Sequence, residues 1–252
     1  MFQQTNPNEM PGIGSSLINL NRSVWLGRAG VQYLPGGGQI DGTLARDLSN
    51  TGAKWEAGGV ALPPNAQSTF FDTLQAGLLM GKITTGGKYR NSIIGAIGTA
   101  TSAATVTSIT VPAAVATEVA RLISQAAGNV NLKLIGPPTT TGTVATTAIV
   151  ATAASGTTLT VSSVTVPVCT ADSFLTPADG SQSPITFIDE LDGIRVSNAS
   201  GTGITLQFPR IPIAGGVINV ANIPNYPTSP SLITWLKAQL NTLGDFRFSD
   251  DF

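Results

Sequence analysis

The sequence predicts a mainly β fold with short helices, and three observations support this. Glycine and proline are frequent, with 28 and 16 copies among 252 residues, and both residues interrupt helices and mark turns. Two runs, Thr105–Pro112 and Thr160–Pro167, are dominated by β-branched residues and end at proline. Helical spacing of apolar residues occurs in two windows, Ala113–Ala127 and a stretch ending at Leu243. These patterns indicate short strands joined by tight turns.

The composition argues against catalysis. The chain has no histidine, one cysteine and 11% charged residues, so Ser–His–Asp, Cys–His and His-ligated zinc sites cannot be built. A net charge of −1 offers no basic surface for nucleic acid. We therefore expect a structural protein that is not an enzyme, with no catalytic, cofactor-binding or metal-binding residues, no cofactor and no small-molecule substrate.

No membrane segment or signal peptide is expected either. The chain contains no unbroken run of 18 or more apolar residues, and the first 14 residues lack the basic-then-apolar pattern of a signal peptide. With a mean hydropathy of +0.22, the chain has enough apolar residues for a core. Because so little charge keeps copies apart, some apolar surface is expected to lie against a partner.

Residues 1–60 are predicted to form an extended N-terminal arm. Bulky residues, among them Trp25, Tyr33 and Leu34, are scattered between glycine, asparagine and proline, and Gly36–Gly38 interrupts any regular element. Such an arm could lie across another protein and become ordered there. The alternative is a loosely packed extension on its own domain. Gly36–Gly38 lacks the Lys-Ser/Thr of a phosphate-binding loop.

From residue 61 the pattern becomes strand-like. Leu74–Ile83 leads into Thr84-Thr85-Gly86-Gly87 and then Lys88-Tyr89. A Gly-Gly pair between two β-prone runs predicts a tight hairpin, because glycine accepts a positive φ.

The two similar runs, Thr105–Pro112 and Thr160–Pro167, form an internal repeat that differs only by Thr/Ser and Ile/Val exchanges. Between them, Ala113–Ala127 predicts a helix that stops at Gly128. Asn131–Ile135 and Thr143–Ala151 predict two further strands. Residues 96–171 are therefore interpreted as an inserted strand–helix–strand subdomain whose two similar end strands pair side by side.

The rest of the body is predicted over residues 172–252. A turn at Asp179-Gly180-Ser181 precedes four short strand candidates. Ser229 or Ser231 is expected to cap a helix that runs to Leu243 and ends at Gly244, before a last strand around Phe246–Phe248. The strand candidates are Ile185–Ile188, Gly193–Val196, Ile204–Phe208 and Gly216–Val220.

With residues 96–171 left out, the order of motifs resembles the lambda-type head decoration proteins of tailed bacteriophages, also called capsid cement proteins. The residues that carry this resemblance are LMGKIT, the glycine turn and KY over 79–89, ADGSQSP over 178–184, and LKAQL with Gly244 near the end. The match covers roughly residues 70–90 and 175–248. The insertion and the long arm depart from the short family pattern.

The resemblance implies a small β-rich, β-tulip-like body, formed by residues 61–95 and 172–252, that carries the inserted α+β subdomain. It implies a homotrimer at threefold sites on the outer capsid surface of the virion, where it stabilises the bacteriophage head by binding the major capsid protein. Trp25, Tyr33 and Leu34 are then candidate capsid contacts, with no nucleic-acid or membrane partner. The candidate body and trimer motif residues are Gly81, Lys82, Tyr89, Asp179, Gly180, Trp235 and Leu236.

Two alternatives remain at this point. The Thr/Ser/Ala/Val-rich insertion would also suit another virion or cell-surface β module, such as a fibre, tail or adhesin component. An enzyme would need carboxylates as acid and base, and the densest cluster is Asp189, Glu190 and Asp192. That cluster lies beside a turn and is interpreted as a solvated acidic loop. Cys169 is interpreted as a small buried hydrophobic residue.

Overall fold

The computed structural model describes residues 24–49, 73–138, 144–190, 193–197, 203–208 and 210–251. The protein is mainly β, as predicted. In chain order the elements are β1 (Trp25–Gly27), β2 (Gln32–Tyr33), β3 (Gly38–Asp41), β4 (Thr73–Leu74), β5 (Leu79–Lys82), β6 (Tyr89–Asn91), β7 (Gly95–Ala96), β8 (Ala104–Thr110), α1 (Ala113–Gln125), β9 (Val130–Pro138), β10 (Val144–Ser155), β11 (Thr158–Val166), β12 (Phe174–Pro177), β13 (Thr186–Phe187), β14 (Ile194–Arg195), β15 (Thr205–Phe208), β16 (Pro212–Ala214), β17 (Val217–Ile218), α2 (Pro230–Leu240) and β18 (Arg247–Phe248).

The chain forms two compact units. Unit 1 contains residues 1–78, 186–224 and 245–252, and unit 2 contains residues 79–185 and 225–244. Each unit is therefore assembled from segments that are distant in the sequence.

Unit 1 is built from very short strands. β1 pairs with β17 in antiparallel fashion and β17 with β18 in parallel, which gives a three-stranded sheet. β2 pairs with β16, β3 with β15 and β4 with β14, all antiparallel. Since strands this short contribute few backbone hydrogen bonds each, the stability of the unit depends on the packing of its buried side chains.

Aromatic rings form the centre of unit 1. The rings of Trp25 and Phe187 lie 5.1 Å apart edge to face, and Phe246 lies 6.2 Å from Trp25 and 5.7 Å from Phe187. Gly216 makes room for this packing, because a Cβ there would lie 2.6 Å from a ring carbon of Trp25. Ring pairs at such distances contribute about 0.5–1.5 kcal/mol beyond the area that they bury.

The predicted extended arm is wrong for residues 24–49. These residues form β1, β2 and β3 and pair with strands that follow much later in the chain. These strands were not predicted from the sequence, because a strand of two to four residues is too short to show an alternating apolar and polar pattern. Removing residues 1–50 would remove three paired strands. Residues 1–23 and 51–60 of the predicted arm lie outside the described residues.

Unit 2 contains a six-stranded antiparallel sheet with the strand order β7-β12-β9-β10-β11-β8. Helix α1 packs on β9, β10 and β11. The apolar residues of the helix and the sheet are buried: Val115, Val119 and Leu122 from α1, and Leu132, Leu134, Ile149, Ala151, Leu159 and Val161 from the sheet.

The predicted pairing of the two repeated runs is confirmed. β8 lies antiparallel beside β11, with Thr105 opposite Thr165, and the two hydroxyl oxygens are 2.9 Å apart. The predicted order of one strand, one helix and three strands is also observed. Cys169 is 1% exposed, as expected for a buried hydrophobic residue.

The inserted segment is not a closed subdomain. β9 pairs with β10 on one side and with β12 on the other, where Leu134 lies opposite Leu175. The compact unit extends to residues 79–185 and 225–244, whereas the sequence set the boundaries at 96 and 171. Excising residues 98–170 would leave β12 without its partner β9 and expose the buried side chains of Phe174 and Leu175.

Two further elements of unit 2 follow the prediction. β5 and β6 form a hairpin with Lys82 opposite Tyr89, and Gly86 and Gly87 both adopt a positive φ in its turn. Helix α2 has Ser229 at its N-cap and buries Leu232, Leu236 and Leu240 on one face. It ends at Leu240, three residues before the predicted end.

The C-terminal end of α1 provides a test of backbone strain. The N–H of Gly128 donates to the carbonyl of Ile123 and that of Ala127 to Ser124, which is the Schellman pattern. The left-handed position is Ala127, with a φ of 50°, and not the glycine that follows it. We expect Ala127→Gly to raise the free energy of unfolding by about 0.5–1 kcal/mol, because a Cβ is strained there.

Urea unfolding of the variant beside wild type measures this gain. The control is Ala126→Gly, since Ala126 has an ordinary φ of −74° and glycine there should lower stability by a similar amount. Equal losses in both variants would show that Ala127 carries no strain.

Candidate functional site

A buried carboxylate, Asp189, organises one candidate site in unit 1. Asp189 is 3% exposed and accepts three side-chain hydrogen bonds. Oδ1 accepts from the indole N–H of Trp25 and from the Arg28 guanidinium at 2.9 Å, and Oδ2 accepts from the Tyr33 hydroxyl at 2.7 Å. The buried negative charge is thereby compensated by one cation and two neutral donors.

This arrangement corrects two sequence interpretations. Asp189 is not part of a solvated acidic loop; Asp192 lies outside the described residues. Trp25 is 6% exposed, with its indole N–H directed at Asp189, so its ring is not available as a capsid contact. Tyr33 and Leu34 remain partly exposed, and their capsid contact stays a prediction.

The site holds Tyr33 in its protonated form. Burial, the hydrogen bond to Asp189 and the charge of that carboxylate raise the pKa of Tyr33 to about 12, while Arg28 and Arg210 oppose the shift. A phenol that donates to a carboxylate resists deprotonation, because two adjacent negative charges repel each other. Tyr33 therefore acts as a hydrogen-bond donor at neutral pH.

In unit 2 the structure brings together motif residues from two distant parts of the sequence. The N–H of Thr84, two residues after the end of β5, donates to the carbonyl of Asp179 at 2.9 Å. A Cβ on Gly81 would lie 2.0 Å from the carbonyl oxygen of Ser181, and one on Gly180 would lie 2.1 Å from Oγ1 of Thr84. Glycine at 81 and 180 is thus required by the contact between hairpin and turn.

The turn that begins at Asp179 is fixed by local hydrogen bonds. The Asp179 carboxylate accepts from the backbone N–H of Ser181 at 3.0 Å, and Gln182 accepts from the N–H of Gly180 at 2.8 Å. The same carboxylate accepts from the Arg90 guanidinium at 3.2 Å. Asp179 therefore shapes its own turn and joins it to β6.

Arg90 is the least expected charged residue of this site. It is 3% exposed, and its Nε and second terminal nitrogen have no hydrogen-bond partner among the described residues. Burial lowers its pKa, while Asp179 and Glu118 oppose the shift. Glu118, itself 4% exposed, pairs with Arg121. Alternating charges on β6, the turn and α1 thus hold this part of unit 2.

The remaining predicted motif residues of unit 2 differ in exposure. Lys82 is exposed, and Tyr89 opposite it is buried, which raises the pKa of its hydroxyl. On α2, Leu236 is fully buried, whereas Trp235 is partly exposed and its ring lies 6.3 Å from that of Phe174. Gly81, Lys82, Tyr89, Asp179 and Gly180 form one cluster, and α2 packs beside β9 and β10.

A third carboxylate fixes the start of α2. Asp172 accepts from the backbone N–H groups of Thr228 at 2.8 Å and Ser229 at 2.7 Å, and from the side chains of Thr170, Thr228 and Ser229. Burial alone would raise the pKa of Asp172, but these hydrogen bonds outweigh burial and hold it well below its usual range. The carboxylate also lies at the positive end of the helix dipole.

The described ranges contain no cluster of three or more His, Cys, Asp or Glu side chains that could hold a metal ion. Among the helices that the structure describes, none is long and apolar enough to cross a membrane. No protein-family model, curated protein or solved structure matches this chain.

Sequence reasoning missed Arg28, Arg90 and Asp172, and misplaced Asp189. For Asp189 a signal existed: Phe187 and Asp189 are two residues apart in an extended run, so both side chains face the same side, and Phe187 is apolar. For Arg90, the alternation around Tyr89 gave no indication of a buried cation. Asp172 follows a strand in a polar stretch and looks like any loop residue.

The raised pKa of Tyr33 predicts how the stability of the protein depends on alkaline pH. In the unfolded chain Tyr33 loses its proton near pH 10, whereas in the folded chain it does so near 12. The unfolded state therefore binds fewer protons in this window, and stability is lost as pH rises from 10 to 12. Urea unfolding at pH 8 and at several values between 10 and 11.5 should show a shallower loss for Tyr33→Phe than for wild type.

The variant Asp189→Asn keeps the phenol and removes the neighbouring charge. Above pH 10, its loss of stability with rising pH is therefore expected to lie between that of wild type and that of Tyr33→Phe. At pH 8, Tyr33→Phe should cost about 1 kcal/mol for the missing hydrogen bond. If the curves of wild type and Tyr33→Phe run parallel above pH 10, the proposed coupling between Tyr33 and Asp189 is wrong.

The lowered pKa of Asp172 predicts the opposite dependence in acid. As pH falls below the ordinary carboxyl value of 3.8, the unfolded chain takes up a proton before the folded chain does, so this contribution to stability is lost. Asp172→Asn should lower the free energy of unfolding at pH 6 by about 1–2 kcal/mol. The difference from wild type should shrink between pH 4 and 2.5.

Glu190→Gln is the matched control, because its partly exposed carboxylate makes no hydrogen bond in the described structure. Its free energy of unfolding should equal that of wild type at pH 6 and at pH 2.5. If the free energy of unfolding of Asp172→Asn stays below that of wild type by the same amount down to pH 2.5, the charge of the carboxylate does not contribute to stability.

Proposed function

We propose that this protein is a capsid decoration protein of a tailed bacteriophage, a structural protein and not an enzyme. In this proposal three copies bind the outer surface of the virion head at its threefold sites and tie neighbouring capsomers together. The observation that carries the proposal is the direct packing of the hairpin at Gly81 on the turn at Gly180, which joins two of the three motifs on which the resemblance rests.

The chemistry of the chain supports the same function. A protein repeated many times on a shell needs adhesive surface and rigidity, and needs no titrating catalytic group. Charged residues make up 11% of the chain, and the described surface exposes large apolar side chains at Leu26 (62%) and Val168 (55%). When a partner covers apolar side chains of this size, their surface is removed from water, which stabilises the complex.

The partner in this proposal is the major capsid protein. Leu34 is the candidate contact best suited to a test, because its side chain is partly exposed and, unlike Tyr33, makes no bond to Asp189. Its backbone N–H is already satisfied by the carbonyl of Ile211 at 2.8 Å. Truncating the Leu34 side chain therefore tests surface contact with little effect on the pairing of the strands.

A fibre or adhesin component is the second candidate. β10 and β11 contain 12 and 9 residues and present threonine, serine and alanine to solvent at many positions. A rigid, weakly charged sheet of this kind would also suit a projecting surface module. Labelled antibodies viewed by electron microscopy on intact virions separate the two, since the first function predicts label over the whole head and the second predicts label on the tail or fibres.

The central experiment measures whether the protein remains with purified capsids in a fixed ratio to the major shell protein. We expect a constant ratio and a trimer by light scattering, either in solution or after release from capsids. Leu34→Ser should weaken attachment at least tenfold, equivalent to about 1.4 kcal/mol. Leu243→Ser, an exposed leucine outside the predicted contact set, is the control with matched chemistry.

Circular dichroism on both variants establishes that they are folded. Absence of the protein from purified capsids, or a stable dimer or tetramer, would contradict the proposed function. Unchanged attachment of Leu34→Ser would contradict the role of that residue alone.

A further inference from the structure

The six-stranded sheet of unit 2 ends in a strand with an unprotected edge. β8 is the last strand in the order of that sheet, and among the described strands it pairs with β11 only. Five of its seven residues are exposed, and its sequence ATVTSIT contains no charge and no proline. Sheets usually protect an edge with charged residues, proline or a bulge, because the free backbone groups of an edge strand pair readily with another strand. β8 has neither the charge nor the proline.

The irregularity in the pairing of β8 lies in its neighbour. Ser108 is opposite Thr160 and Val106 is opposite Val164, so one residue of β8 faces three residues of β11. The extra residues belong to β11, and β8 itself runs without a bulge. Its outer edge therefore presents backbone groups at regular spacing, as a pairing strand requires.

The hydrogen bond that follows β8 shows which of its backbone groups face outward. The N–H of Val111 donates to the carbonyl of Thr157 at 2.9 Å, so the backbone groups of Val111 face β11. Directions alternate along an antiparallel strand. The N–H and C=O groups of Thr110 and Ser108 therefore face away from β11, and the same alternation continues to Val106 and to the first residue of β8.

The sequence of β8 already pairs with a near-copy of itself. β11 contains the second copy of the repeat, and the runs TVTSIT over 105–110 and TVSSVT over 160–165 lie antiparallel side by side. The hydroxyl oxygens of Thr105 and Thr165 are 2.9 Å apart across this pair. Such cross-strand threonine pairs stabilise sheets. A second copy of this chain presents the same run with the same unprotected edge, so it is the occupant that fits β8.

We propose that two copies of this protein associate through their β8 strands, which pair antiparallel and join two sheets into one. A twofold axis passes at Thr107, so that Val106 of each copy lies opposite Ser108 of the other and Ala104 lies opposite Thr110. In this register the outward backbone groups of one strand meet those of the other. Thr107 faces its counterpart as a non-hydrogen-bonded pair, in which the Cα atoms lie about 4.5 Å apart.

This association does not depend on the proposed capsid function. It joins copies two at a time through a strand of unit 2, whereas the capsid proposal concerns three copies around a threefold site. If both are correct, the β8 strands connect a copy in one trimer to a copy in the next. An edge that instead receives a strand from a different protein would leave the purified protein without this self-association.

The first test is a disulfide across the twofold axis. Thr107→Cys places an exposed thiol opposite its counterpart, within the distance of Cα atoms that a disulfide spans. Cys169 does not compete, because it is 1% exposed. Oxidation by oxygen with copper phenanthroline, followed on non-reducing gels, should link two copies.

Thr105→Cys is the matched control for the disulfide. Thr105 is also exposed on β8, but in the proposed register its counterpart lies about 14 Å away along the strand. The link at position 107 should form at least tenfold faster than the link at position 105. Equal rates, or no link at position 107, would overturn the proposal.

The second test removes one outward donor from the edge. Ser108→Pro deletes an N–H that does not face β11, so the pairing within the chain is kept, as for proline on other edge strands. In sedimentation equilibrium the mass of wild-type particles should double as concentration rises. Ser108→Pro should weaken this doubling at least tenfold, and Ser108→Ala, which keeps the N–H, should behave as wild type.

Absence of doubling in wild type, or equal doubling in Ser108→Pro, would contradict the pairing of β8. The mass of the Ser108→Pro particle then reports separately on the proposed trimer, since the two associations use different copies of the chain. Should Ser108→Pro fail to fold in a thermal melt, the disulfide at position 107 still decides whether the β8 strands pair.

Discussion

Carboxylates in buried or partly buried positions join segments that lie far apart in the sequence, and both units depend on them. Asp189 joins Trp25, Arg28 and Tyr33. Asp189 and Asp179 accept from buried donors, the indole N–H of Trp25 and the guanidinium of Arg90, and a buried donor left without an acceptor costs about 1–3 kcal/mol. An apolar side chain could replace the volume of such a group but not its hydrogen bonds. In unit 2 the equivalent ties are Asp179 to Arg90 and Asp172 to Thr228 and Ser229.

These hydrogen bonds between a carboxylate and distant segments explain how a chain with so few charges specifies its fold. Exposed ion pairs contribute little, about 0–1 kcal/mol, and the 43% exposed Arg28 belongs closer to that class. The indole N–H of Trp25 is different, because it is buried and donates to the buried Asp189 carboxylate. The aromatic cluster places the Trp25 ring, and Asp189 fixes the direction of its N–H. Packing and hydrogen bonding thus select the same position for β1.

Local patterns allowed much of unit 2 to be predicted. The two β-branched runs, the glycine hairpin and both helices were found because each signal lies within about 15 residues. In unit 1, β13, β14, β15, β17 and β18 lie within the predicted strand candidates, but the N-terminal strands could not be predicted in this way. β1, β2 and β3 have two to four residues each, and their pairing partners follow much later in the chain. A segment of this kind looks irregular until its partner is known, which is why residues 24–49 resembled an arm.

The candidate site shows the same division. Gly81 and Gly180 were singled out as motif residues, and the steric reason for each is a long-range contact that spacing alone does not reveal. Arg90 was missed because a buried cation needs compensation from residues on other elements, here Asp179 and Glu118. Two of its nitrogens have no hydrogen-bond partner in the part of the chain that the structure describes, so that compensation is incomplete there. The success with local elements and the failure at Asp189, Arg90 and Asp172 therefore have one cause. Periodicity in the sequence shows which face of a helix or strand is apolar. It does not show which distant segment supplies the hydrogen-bond donors of a carboxylate.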